Sequence, residues 1–270
     1  MMPDAMQTMR FAVGLWPEQA PAAKGEIVHP MRKGRFFGLD KRPAESALAG
    51  EVEAGRLILL TGDTRSRQLL RELQKHGIGR MFIDHVPTPY PGEPWGFDNG
   101  AFRDWRNGRK FDGDAYLCRL EKAYAVGRPY IAIVPDLVAG GLRSLEFSLR
   151  WLEKLPANWP WYLAVQDGMT LADVESVLDK FTGLFLGGTD IFKGTAWHWC
   201  RLAHQHGKKF HFARAGTLRK IAYAKEIGAD SSDSAFPLWT KERLGSFIQM
   251  WQTGPRQLQL WGPEVGSVEP

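Results

Sequence analysis

Several short stretches of the sequence carry side chains that can do chemistry, and each comes directly after an apolar run. Asp98 follows PWGF, and Asp136 follows YIAIVP. Gln166 and Asp167 follow WYLAV, while Gly187, Gly188, Thr189 and Asp190 follow GLFL. His211 lies inside KFHFA with Arg214 just beyond it, and Asp233 and Ser234 close GADSSDS. Carboxylates accept hydrogen bonds and exchange protons, an amide both donates and accepts, and a glycine pair lets a planar ligand approach the backbone. Buried charge is costly unless it is paired or used, so polar groups recurring at one end of many strands predict a shared pocket. Each residue also has a plain structural role open to it. Asp98-Asn99-Gly100 is a strong turn sequence, Gln166-Asp167-Gly168 is another, and Gly187-Gly188 can simply bend the chain. Asp136 can cap a helix, as can Asp230 or Asp233 near Trp239, and His211 can be a satisfied core histidine.

The elements that must position these residues alternate along the chain. Strand-like runs at 56–61, 80–84, 130–134, 161–166, 183–187, 209–213 and 228–232 are spaced by helix-period segments at 64–76, 112–127, 142–155, 170–180, 195–207, 216–227 and 240–252. Asp112 and Thr170 stand where helices should begin, and Gly77, Gly127, Gly207 and Gly228 where they should end. Continuously apolar strands separated by helices imply a parallel sheet covered on both faces. Seven or eight such units in ~250 residues predict an α/β fold of the (β/α)8 TIM-type barrel kind, with a doubly wound open sheet as the alternative. No GxGxxG or phosphate-loop pattern follows the first strand, which removes support from nucleotide-binding open sheets. The expected organisation is an irregular, Pro- and Gly-rich segment over 1–50, a barrel over 51–255 and a tail over 256–270. In such a barrel the catalytic groups come from the C-terminal strand ends, where the polar residues above fall.

The 270 residues are 44% hydrophobic and 24% charged, a globular composition, with a formal net charge of +5 that favours polyanionic partners such as nucleic acid. Cys118 and Cys200 match no metal or disulfide spacing, and no apolar run is long enough to cross a membrane. The N-terminal MMPDAMQTMR lacks the basic and apolar parts of a secretion signal, so a cytoplasmic protein is expected.

In order, FDNGAF, VPD, VQDG, FLGG and GTLRKIAYAKEIGADSSDS resemble the motifs of the tRNA-guanine transglycosylase superfamily, over roughly residues 80–240. These are (β/α)8 barrels that exchange a guanine base in nucleic acid for a 7-deazaguanine. The family's Cys-rich zinc site has no counterpart here, so no metal and no cofactor are expected. The compact zinc-free form looks most like the DNA 7-deazaguanine transglycosylases of phages and bacteria, which would place the protein in a bacterial host cell. DNA is therefore expected as substrate ahead of tRNA, with a preQ0-type base as the small-molecule partner and a homodimer or partner proteins left open. Carried over by position, Asp233 is the nucleophile that forms a covalent sugar intermediate, and Asp98 is the general acid and base. Asp136 and Gln166 would bind the guanine edge, Gly187 and Gly188 would approach its O6, and Phe102 would stack on its face. Asp230 competes with Asp233 for the nucleophile's role. Ala101 departs from the family's glycine. The same barrel could instead act as a hydrolase, or bind nucleic acid or a deazapurine without catalysis.

A base inside a duplex cannot reach such a pocket, so single strands or a flipped nucleotide are required. The stretch RDWRNGRK, read as a loop, offers Arg103, Arg106, Arg109 and Lys110 for phosphates and Trp105 for stacking. His29, Arg32, Lys33 and Arg35 form a second basic cluster.

Overall fold

The computed structural model describes residues 57–252. The basic cluster at 29–35, the expected N-terminal segment and the expected C-terminal tail lie outside the described residues. The strands are β1 (Ile58–Gly62), β2 (Gly79–Phe82), β3 (Gly96–Phe97), β4 (Ile131–Ile133), β5 (Trp161–Val165), β6 (Gly183–Leu186), β7 (Lys209–Phe212) and β8 (Ser231–Ser234). Neighbours in sequence are neighbours in space, and the sheet closes as a barrel. The closing pair is parallel, with Ile58 opposite Ser231 and Leu60 opposite Asp233, which excludes the open doubly wound alternative. The helices are α1 (Arg67–His76), α2 (Ala101–Arg106), α3 (Gly113–Val126), α4 (Leu142–Leu152), α5 (Leu171–Glu175), α6 (Asp190–Lys193), α7 (Ala196–Gln205), α8 (Leu218–Glu226) and α9 (Lys241–Gln252).

The period of two along each strand divides the core. Leu60, Met81, Ile131, Ile133, Tyr162 and Ala164 pack together inside the barrel. Their neighbours Leu59, Phe82, Phe97, Leu163, Leu184 and Phe210 face outward into the layer shared with the helices. Each fully buried side chain of this size contributes roughly 1.5–3 kcal/mol. The inner wall changes character at β7 and β8, where His211, Ser231 and Asp233 replace the aliphatic residues. The polar site therefore grows out of one side of the barrel lumen.

The helix signals held where they were local. Asp112 accepts from the Ala115 N–H at 2.9 Å, and Thr170 and Asp173 form a reciprocal capping box. Three expectations are corrected, and one strand is added. RDWRNGRK does not begin as a loop: it opens within α2, whose N-cap is Gly100 and whose first N–H, that of Ala101, donates to the Asn99 side chain at 2.8 Å. The segment 170–180 is α5 followed by a separate 3-10 turn at Leu178–Lys180. The last strand lies at Ser231–Ser234 rather than 228–232, because Gly228 in the left-handed region still belongs to the exit from α8. Finally, β3 is a two-residue strand, too short to show periodicity.

Candidate active site

The opening carboxylate sits immediately beyond β3. The Asp98 N–H donates to Phe82 O at 3.0 Å, which ties the residue to the end of β2. Its Oδ1 accepts from the Gly100 N–H at 2.6 Å, and Gly100 takes φ +82, which only glycine adopts freely. Asp98-Asn99-Gly100 is thus a turn, and the turn fixes the carboxylate. Arg119 from α3 clamps it from behind, its Nη2 donating to Asp98 O and Asn99 O at 3.0 Å each. Ala101 is the first residue of α2 and is buried, so a helical conformation, not a glycine one, is what this position requires.

Asn99 does more than turn the chain. Its Nδ2 donates to Val134 O and to Asp136 Oδ1, both at 2.8 Å, so the loops after β3 and β4 are joined through one buried amide. Asp136 does not cap a helix, since the residue before α4 is Gly141. Its second oxygen faces the Gln166 amide at 3.4 Å. Gln166 commits its Nε2 to Ser144 Oγ at 2.8 Å and Leu137 O at 3.0 Å, pinning the loop that carries Asp136.

Asp233 projects from β8 into the lumen. Its Oδ1 meets His211 Nε2 at 3.0 Å and accepts from the Arg214 N–H at 2.8 Å. The His211 ring is wholly buried, stacked on Phe185 with centroids 4.9 Å apart, and its Nδ1 meets Ser231 Oγ at 2.8 Å. Arg214 adopts φ +52, an uncommon conformation for a non-glycine residue that aims its N–H at Asp233. Its side chain reaches Gly188 O at 3.3 Å and lies 3.8 Å from the centre of the Phe102 ring. Asp230 lies elsewhere. It precedes β8, at the N-terminal end of the barrel, and is held by His204 Nε2 at 2.9 Å, Lys209 Nζ at 2.7 Å and the Phe210 N–H at 2.8 Å.

The three carboxylates of the mouth differ in acidity. Burial pushes Asp98 up, and the charge of Asp233 adds to this against the Gly100 N–H, Arg119 and Arg214. Burial likewise pushes Asp136 up to about 6, against the Asn99 hydrogen bond and with help from the charge of Asp98. Burial would also raise Asp233, but the His211 hydrogen bond and charge, the Arg214 N–H and the Lys193 charge outweigh it and hold Asp233 below the ordinary range. One rim therefore carries a carboxyl disposed to keep a proton and another disposed to stay ionised. Lys193, buried beneath, donates to Ala213 O at 2.6 Å, and burial brings its amine down to about 7.

The remaining expected site residues are placed less simply. The Gly187 N–H donates to Val165 O at 2.8 Å and is already used. Gly188 has φ +74, and a Cβ there would stand 2.5 Å from Asp167 Oδ2, so the glycine makes room for that carboxylate. Asp167 in turn accepts from the Thr189 N–H at 2.7 Å and pairs with its hydroxyl at 2.6 Å. Phe102 is half-buried under Arg214 and has the Trp105 ring at 5.8 Å. Of the basic stretch, Trp105, Arg106, Arg109 and Lys110 are exposed. Arg103 is paired with Asp84 and Asp104, and Arg109 touches Asp104 at 3.1 Å. Arg103 is thus the least available cation of the group.

No protein-family model matches the chain, and no curated protein matches it significantly. What the mouth can do chemically follows from its groups: protonate a leaving atom at Asp98, attack an electrophilic carbon with Asp233, and hydrogen-bond a planar polar edge at Asp136 and Gln166. Sequence alone gave no role to Asn99, Arg119, His211, Arg214 or Lys193 in this arrangement. Only His211 and Arg214 left a signal, as polar residues at the end of β7.

Proposed function

We propose that the protein is a base-exchange transglycosylase that replaces guanine in DNA with a 7-deazaguanine of the preQ0 type. The observation that carries this reading is a pair of carboxylates on one barrel rim in unlike settings: Asp98 held by the Gly100 N–H, with burial pushing it up, and Asp233 held by both His211 and the Arg214 N–H, which keep it down. Such a division suits a reaction that needs a nucleophile and an acid at once. In the first half, Asp233 attacks C1′ of the nucleotide, the bond from C1′ to the base nitrogen breaks, and Asp98 gives its proton to the departing guanine. In the second, the Asp98 carboxylate takes a proton from the incoming base, that base attacks C1′, and Asp233 leaves. Asp136 would accept from the N–H groups of the purine edge, with the Gln166 amide oxygen beside it. The motif resemblance supports the same assignment, and the position of Asp230 at the other barrel end favours Asp233 as nucleophile.

Labelled guanine and labelled preQ0, offered separately with duplex DNA, single-stranded DNA or tRNA, test the reading. Label is expected in DNA, and Asp233→Asn should abolish incorporation while Asp230→Asn, if folded, retains it. Label in tRNA alone would move the substrate assignment. Incorporation into no polymer, or full incorporation by Asp233→Asn, would overturn the proposal.

A further inference from the structure

A cavity of about 330 Å³ lies outside the barrel mouth, between α2 and the first turns of α3. It shares Asn99 with the mouth and is lined by Arg103, Arg109, Lys110 and Arg119, with Asp104, Asp112 and Tyr116. Of its two carboxylates, Asp104 is held by Arg103 and Arg109, and Asp112, at the exposed edge, accepts the Ala115 N–H as the cap of α3. Two of its lining residues each carry a buried donor with no partner among the described residues, the Tyr116 hydroxyl and the Arg119 Nε. Tyr116 is 1% exposed, so its hydroxyl is a buried polar group without compensation. Buried donors are normally satisfied, and a pair of them beside several cations fits an oxyanion. Arg109 and Lys110 are exposed, and Arg109 reaches the buried Asp104 from the solvent side at 3.1 Å.

We infer that this cavity takes one phosphate of the nucleic-acid backbone, gripped by Arg109, Lys110 and Arg119 with the Tyr116 hydroxyl. The inference rests on the proposal that the substrate is a polynucleotide, and deepens it by naming where the strand is anchored. Arg119 makes the location meaningful. The same guanidinium that faces the cavity also holds the carbonyls of Asp98 and Asn99, so the anchored phosphate and the acid-base turn share one support.

The test measures binding of a twelve-residue oligo(dT) to the full chain, against the same oligomer with a neutral methylphosphonate backbone and against inorganic phosphate. Arg109→Gln with Lys110→Gln should weaken oligo(dT) binding at least tenfold. It should also reduce the slope of log affinity against log salt by about 0.7, the share of one neutralised phosphate on a single strand. Tyr116→Phe, which keeps the ring, should weaken binding several-fold without lowering the unfolding midpoint. The neutral oligomer should bind wild type and variants alike. Unchanged affinity and slope in both variants would overturn the inference, as would equal binding of the neutral and charged oligomers. Inorganic phosphate binding lost in the variants while oligo(dT) binding is untouched would also overturn it, since the site would then serve free phosphate. Exchange activity with an unaltered salt slope would sink this inference and spare the proposed function. Lost binding in the variants without exchange on any polymer would do the reverse.

Discussion

His211 offers the sharpest separation of cause and effect, because its two nitrogens have different partners. Nδ1 meets Ser231 Oγ and Nε2 meets Asp233 Oδ1. An asparagine amide stands where Nδ1 stands, and a glutamine amide reaches where Nε2 stands. His211→Asn therefore keeps a partner for Ser231 and strips one from Asp233, while His211→Gln does the opposite. A hydrogen bond to a charged group is worth about 1.5–3 kcal/mol, against about 0.5–1.5 kcal/mol for the neutral Ser231 contact. Burial is the largest influence on Asp233 and raises its pKa, so removing the His211 bond lets burial prevail and moves Asp233 upward.

The sign carries over to stability. In the wild type the folded Asp233 lies below its unfolded value, so its contribution is present above the unfolded carboxylate range and is lost as pH falls through the folded value. In His211→Asn that contribution shrinks or reverses. The variant is then least stable relative to wild type near neutral pH, by about 1.5–3 kcal/mol, and the gap narrows as acid protonates Asp233 in both. In His211→Gln the smaller loss is nearly independent of pH. Carboxyl ¹³C NMR, with Asp233→Asn to assign the signal, reads the titration directly, and urea unfolding at several pH values reads the gap. Identical Asp233 titration in wild type and His211→Asn, or matching behaviour of the two variants, would refute this account of how Asp233 is held ionised.

Two further outcomes are expected. Lys193 titrates at about 7 in the folded protein against an ordinary 10.5, so between these values the unfolded chain binds the extra proton and wild-type stability rises with pH. Lys193→Met should consequently stabilise the fold by a few kcal/mol below pH ~7, with the gain fading toward pH ~10.5 in thermal unfolding scans; a constant difference across that range would contradict it. Gly188→Ala should cost about 3 kcal/mol in urea unfolding, from the left-handed backbone and from a Cβ placed 2.5 Å from Asp167 Oδ2, which must release Thr189. A loss within 0.5 kcal/mol, roughly that of an ordinary surface change, would show that Asp167 does not need this space.

The barrel was legible because its signals are local and repeated: apolar strand runs, capping residues such as Asp112 and Thr170, and glycines at helix ends. The rim was legible too, since a polar residue after an apolar strand has one end of the barrel to occupy. What the sequence could not supply were contacts across long separations. Asn99 reads as a turn residue, and only the fold brings Asp136 and Val134 against its amide. Gly188 reads as room for a ligand, whereas the structure fills that room with Asp167. Asp230 and Asp233 are indistinguishable by spacing, yet a strand starting at Ser231 sends them to opposite ends of the barrel.

Arg214 links the parts that sequence read separately. Its backbone holds Asp233, its guanidinium touches Gly188 O, and the same guanidinium covers Phe102. A base stacked on that face of Phe102 would need the space the guanidinium now fills, so under the proposed function the side chain must move aside as the base enters. The hydrogen bonds on Asp233 need not move with it, because they come from the Arg214 N–H and from His211, while the guanidinium acts on Asp233 only through its charge. The left-handed backbone at Arg214 separates these two tasks: it fixes the amide on the carboxylate while leaving a long side chain to yield. Replacing Arg214 by glycine would keep the backbone conformation and remove the cover. Affinity for the free 7-deazaguanine base should then rise or hold, while Asp233, having lost the guanidinium's charge but kept both hydrogen bonds, moves upward less than in His211→Asn in the same carboxyl NMR titration. A several-fold loss of base affinity would instead make the guanidinium part of the base's own binding surface.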